Sequence, residues 1–125
     1  MANYRYYNRN EDPTLHRNDC VTRAISLASG MSYSQTRRKL FHTAKLLDCN
    51  RICMNCYKFL IENVLCCMPL DCDGLTVEEF ADIHPQGTYL VRMNGHISTI
   101  INNTIYDIFD CRKYNLTNAW KVFTT

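Results

Sequence analysis

Apolar positions change their spacing near residue 87: before it they recur at three- and four-residue intervals, and after it they fall in short β-branched and aromatic runs. Val21, Ala24, Ile25 and Ala28 predict a helix over roughly residues 20–29, with Gly30 placed to close it in the left-handed region. Ser32 or Ser34 can cap a second helix that carries Leu40, Phe41, Ala44 and Leu47 on one side. A third apolar segment, roughly 53–66, holds Tyr57, Leu60, Ile61, Val64 and Leu65. Thr76 and Glu79 stand at capping-box spacing and open a short helix that must stop before Pro85. Then "TYLVRM", "HISTII", "TIYDIF" and "AWKVFT" read as strands, with turns at Asn94-Gly95 and Asn102-Asn103. Residues 1–18 are polar and aromatic, and Tyr4, Tyr6 and Tyr7 alternate loosely as an extended lead-in or a short edge strand. The expectation is one α+β domain over 1–125, mainly helical over 20–84, with N-terminal helices packed on a C-terminal antiparallel meander over 88–125.

Composition adds bounds. Hydrophobic residues at 46% and charged residues at 21% suit a globular chain and exclude wholesale disorder. A net charge of +2 is too mild to imply nucleic acid, and Arg37-Arg38-Lys39 reads as a solvated helix face. The polar "MANYRYYNRNEDP" has no apolar leader, and no run approaches the roughly 18–20 residues of a membrane span. No membrane partner is expected, and a cytoplasmic location is. There the eight cysteines are expected as thiols rather than a disulfide framework, and the "NNT" and "NLT" sequons carry no weight.

One cysteine differs from the others in position. Cys20 ends the polar run "HRNDC" and starts the first helix, where unpaired N–H groups and the helix dipole favour a thiolate. A nucleophilic thiol also needs an imidazole to take its proton and a third group to orient that imidazole. His96 follows the Asn94-Gly95 turn at the head of a strand. If Asn102-Asn103 are the turn of the next hairpin, Ile101 faces Thr104 and Ser98 faces Asp107. Side chains alternate, so Asp107 then shares a face with His96, while a one-residue slip would bring Asp110 there instead. Asp107 is favoured, with Asp110 as the alternate.

These segments, "NDCVTRAIS", "GTYLVRMNGHISTI" and "NTIYDIFD", resemble the papain-like cysteine peptidase fold in its compact bacterial and phage versions. That family places a cysteine at the start of the central helix, a Gly-His at the head of a strand and an Asp or Asn on the next strand. The resemblance runs from about residue 16 to the C-terminus and implies Cys20 as nucleophile, His96 as general base and acid, and Asp107 as the orienting carboxylate. It also implies a phage or mobile-element origin and a host or viral protein as substrate. One feature departs from the family: no Gln precedes the cysteine to help form an oxyanion hole, since the only glutamines are Gln35 and Gln86. Asn18 can supply a side-chain N–H₂ in its place, together with the Cys20 backbone N–H.

The remaining candidates have plainer readings. Cys53 and Cys56 form the only CxxC, and a weak zinc alternative would draw on Cys49, Cys53, Cys56 and Cys72. On an apolar helix, cysteine more often serves as a small hydrophobe. His42 and His84 fall at a helix and a helix end, His16 in a loop, and Trp120 in the last strand's core or face. The expected function is a cysteine-dependent hydrolase or acyl transferase acting on an amide or isopeptide bond of a protein or peptide, with no cofactor. Its alternative is a catalytically inactive papain-like module that binds a host protein.

Overall fold

The computed structural model describes residues 1–10 and 18–123. Its elements run β1 (Asn3–Tyr6), α1 (Cys20–Ser29), α2 (Tyr33–Leu47), α3 (Met54–Phe59) continued by a π-helical turn (Leu60–Val64), β2 (Met68–Leu70), α4 (Val77–Ile83), β3 (Thr88–Met93), β4 (His96–Ile101), β5 (Thr104–Asp107) and β6 (Leu116–Val122). The protein is α+β. Local chemistry sets the helix ends. Gly30 closes α1 in the left-handed region at φ 79°. Ser32, rather than Ser34, caps α2 in a reciprocal box with Gln35, and Thr76 and Glu79 make the same exchange at α4.

The six strands form one sheet in the order β1-β5-β4-β3-β6-β2. The expected antiparallel meander accounts for only part of it. β3, β4, β5 and β6 pair antiparallel, but the lead-in strand β1 pairs parallel with β5, which makes the sheet mixed. β2, inside the stretch expected to be helical, pairs with β6 at the opposite edge. Pro69 suits that place, because an edge strand can leave one backbone position without a donor. β5 ends at Asp107, two residues short of the run expected from "TIYDIF", and β6 begins at Leu116, ahead of "AWKVFT".

Each face of the sheet carries its own core. On one side Val21, Ile25, Leu40, Cys56, Leu60 and Ile61 from the helices pack on Leu90, Ile97 and Trp120. On the other, Val77, Phe80 and Ala81 of α4 pack on Tyr89, Val91, Ile100 and Ile105. The buried stripe of α2 is Tyr33, Thr36, Leu40, Thr43 and Ala44. Phe41 and Leu47 lie outside it, and Phe41 is exposed beneath the guanidinium groups of Arg37 and Arg51. No helix among the described residues is long and apolar enough to cross a membrane.

Candidate active site

α1 lies across β4, and the Thr99 hydroxyl donates to the Ala24 carbonyl at 2.7 Å, fixing helix to strand in the core. This sets Cys20, the first residue of α1, against His96, the first residue of β4. Asn18, at φ 50°, turns the chain toward the helix. Asp19 holds the N-cap position without capping, because its carboxylate points elsewhere. It accepts from Asn10 Nδ2 at 2.6 Å and the Tyr33 hydroxyl at 2.9 Å, and it pairs with Arg23 one turn along the helix. The N-cap side chain therefore does not compete for the first N–H groups of α1, whose dipole end favours a negative charge.

The hairpin of β4 and β5 supplies the rest. Asn102 and Asn103 take φ values of 47° and 65°, the pair of positive values that a tight two-residue turn needs. Ile101 pairs with Thr104, Ile100 with Ile105 and Thr99 with Tyr106, the register that a turn at Asn102-Asn103 predicts. His96 Nε2 and Asp107 Oδ2 are 2.6 Å apart. With Nε2 engaged by the carboxylate, Nδ1 is the nitrogen left for the Cys20 thiol, with which the imidazole interacts. The Asp107 carboxylate also accepts from the Ile108 N–H at 2.7 Å, with the Cys111 thiol at 3.9 Å and Arg23 Nη2 at 3.9 Å. β1 and the residue after it steady the same residue from outside: the Tyr7 N–H and the Tyr4 hydroxyl both donate to the Asp107 carbonyl. The Phe109 ring covers the imidazole at 4.6 Å between centroids.

Electrostatics follow from these contacts. Burial pushes the Cys20 thiol up, but the His96 hydrogen bond and charge, the Ile97 N–H and Arg23 together hold it below its ordinary value. Burial pushes His96 down, and the Asp107 and Cys20 hydrogen bonds more than reverse this, raising it to about 9. Burial likewise opposes the ionised Asp107 carboxylate, which His96 and neighbouring donors nevertheless hold below the usual range. The arrangement favours a thiolate beside an imidazolium over a neutral thiol beside a neutral ring. Cys111 behaves oppositely: burial and the Asp107 charge push it up to about 12, so it stays protonated and can donate to the carboxylate.

Asp110, the alternate carboxylate, is instead exposed and forks onto Arg112, with contacts of 3.0 and 2.8 Å. Asn18 is exposed and lines a cleft of about 310 Å³ together with Cys20, His96, Tyr57 and Arg92. The four cysteines of the zinc alternative do not converge. Cys56 is buried among the helices with Cys49 and Cys53 nearby, whereas Cys72 belongs to the core on the opposite face of the sheet. Among the described residues, the metal-capable cluster is His96, Asp107 and Cys111, whose ligand atoms lie within 4.8 Å of one another. Occupying it would require ionising Cys111 and breaking the His96–Asp107 hydrogen bond. Trp120 is core, donating to Glu62 at 2.8 Å, and His84 stacks on Phe80. His42 lies on a groove between α2 and the π-helical turn, and His16 lies outside the described residues.

Sequence reasoning missed Arg23, Phe109 and Cys111 as neighbours of the site. Arg23 was available as the i+4 partner of Asp19. Phe109 and Cys111 follow the end of β5, where strand alternation stops being a guide. No protein-family model, curated protein or solved structure matches this chain.

Proposed function

We propose that this protein is a cysteine-dependent hydrolase or acyl transferase that acts on an amide or isopeptide bond of a protein or peptide, on a papain-like arrangement of helices and sheet. The observation that carries this reading is the chain of contacts from the Cys20 thiol through the His96 imidazole to the buried Asp107 carboxylate, at a helix start left uncapped by its N-cap side chain. The Cys20 thiolate attacks the carbonyl carbon, and the carbonyl π pair moves to oxygen. The Cys20 backbone N–H and the Asn18 side-chain amide stabilise that oxyanion. His96 then gives its proton to the leaving amine as the C–N bond breaks, leaving a thioester on Cys20. Water, deprotonated by His96, or a second amine releases the acyl group and restores the thiol pair. Asp107 keeps the ring turned with Nδ1 toward sulfur and stabilises its cationic form.

The test uses p-nitrophenyl acetate, an activated ester that needs no knowledge of the natural substrate. A stoichiometric burst of p-nitrophenolate, an acetyl group on Cys20 by peptide mass mapping and its loss with time are expected. Cys20→Ala should abolish the burst, and Asn18→Ala should slow it by on the order of 10²-fold, the usual cost of one oxyanion donor. Acetylation of the exposed Cys66 as fast as Cys20 in the folded protein would contradict catalysis and favour the binding-module alternative.

A further inference from the structure

The cleft that exposes Cys20 has a second chemical feature. Among the described residues no acidic side chain lines it, yet Arg92 does. Among the ion pairs of the described residues, none involves Arg92. Its guanidinium is nonetheless held in place. Nε donates to the Tyr57 hydroxyl and Nη1 donates to Thr117 Oγ1 at 2.7 Å, while the Thr117 hydroxyl donates back to the Arg92 carbonyl at 3.1 Å. The backbone contributes as well. β3 and β6 slip in register between Arg92 and Met93, which pair with Asn118 and Leu116, so Thr117 is the extra residue of a bulge beside the arginine. Bulges re-aim side chains, and this one supplies the hydroxyl that fixes the guanidinium. Nη2 makes no hydrogen bond to a described residue. With the Cys20 thiolate and His96 imidazolium cancelling, Arg92 is the uncompensated charge among the described residues that line the cleft.

A guanidinium held through Nε and Nη1, with Nη2 left without a described partner and no carboxylate among the described residues lining the cleft, is preorganised to donate to one. We infer that Arg92 binds a carboxylate of the substrate next to the bond that Cys20 attacks, so that acidic peptides or acyl groups ending in a carboxylate are the preferred substrates. This rests on the hydrolase reading above. Recognition and chemistry are nevertheless separable, because a carboxylate on any thiol reagent is attracted whether or not the thiol is activated.

The probes are iodoacetate and iodoacetamide, which differ in one negative charge and both alkylate thiolates. Their rate ratio at Cys20 is read site by site at pH 9, where even an ordinary accessible thiol is substantially ionised. His96 is common to all the proteins compared, so its contribution cancels between them. The expected result is a ratio favouring iodoacetate that falls about tenfold in Arg92→Gln, the scale of one charge-assisted hydrogen bond, and is largely kept in Arg92→Lys. The buried Cys56 reports folding, since it should stay unmodified, and Arg92→Met carries the same comparison should the Gln variant unfold. An unchanged ratio in the folded neutral variant would overturn the inference and leave Arg92 a brace between α3 and β3. Slow reaction of Cys20 with both reagents near neutrality would instead count against the activated thiol, and the ratio at pH 9 would still decide the role of Arg92.

Discussion

Cys20 and His96 perturb one another, and the consequence for stability differs from that of either alone. The folded imidazole titrates at about 9 against roughly 6.5 for an unfolded histidine. That shift contributes stability that is complete below about pH 6.5 and lost as pH rises through 9. The Cys20 thiol is held below its ordinary value, so its contribution has the opposite sign: present above the unfolded thiol pKa and lost as pH falls through the folded one. Where the folded thiol is ionised and the ring still protonated, the folded pair keeps one proton on the ring, and the unfolded chain keeps one on sulfur below its ordinary pKa. The two slopes cancel. Cys20→Ala should expose the histidine term, because Asp107 still raises His96. Urea midpoints of this variant should fall as pH rises above about 6.5, with a slope of at most about 1.4 kcal/mol per pH unit and more steeply than those of the wild type. A variant whose stability falls no more steeply with pH than that of the wild type would show that the pair is not coupled in this way. The three main residues of the site were legible because each follows from one local rule: a helix start, a turn and a two-residue period. Arg92 was not, since its role depends on a bulge between β3 and β6 and on Tyr57 from α3, contacts that no spacing records.

At the scale of elements, the hairpin of β4 and β5 decides which carboxylate meets the imidazole. Its register depends on a two-residue turn, and both turn residues occupy the left-handed region. Asn tolerates that region, whereas a β-branched side chain costs about 1–2 kcal/mol there. Asn103→Val should therefore lower stability by about 1–2 kcal/mol in urea unfolding, while Asn103→Gly stays near wild type. Equal stability of the two variants would place the register elsewhere than in the turn. The same rules explain which elements escaped the sequence reading. β2 is three residues long and contains a proline, so neither period nor propensity marks it. The third helical segment passes into a π turn at Leu60, which shifts its apolar positions off the 3.6-residue period. Phe41 and Leu47 looked like core positions on an α2 whose buried stripe is partly built from Thr36 and Thr43, hydroxyls that bond back to the preceding turn.

Across the whole molecule, the strand order places β4 and β3 in the middle of the sheet, where a helical layer and α4 cover opposite faces. The nucleophile comes from the helical layer, and the imidazole and carboxylate come from the sheet. The site therefore exists only when the two layers are docked, as the Thr99–Ala24 hydrogen bond holds them. The α+β class was legible from the single change of hydrophobic period, but the mixed pairing was not. β1 joins β5 across nearly the whole chain, and nothing in the local pattern of residues 3–6 says which strand they will meet. The central claim, that docking creates a thiolate–imidazolium pair at Cys20 and His96, is tested most directly by the pH profile of iodoacetamide alkylation at Cys20, read beside the exposed Cys66. An ordinary thiol near pKa 8.5 is only about 0.3% ionised at pH 6. Cys20 should stay reactive there, on the order of tenfold or more above Cys66. His96→Ala and Asp107→Asn should move its profile toward the ordinary thiol, and Asp110→Asn should leave it unchanged. A Cys20 profile that coincides with that of Cys66, or one that Asp110→Asn shifts more than Asp107→Asn does, would contradict the account.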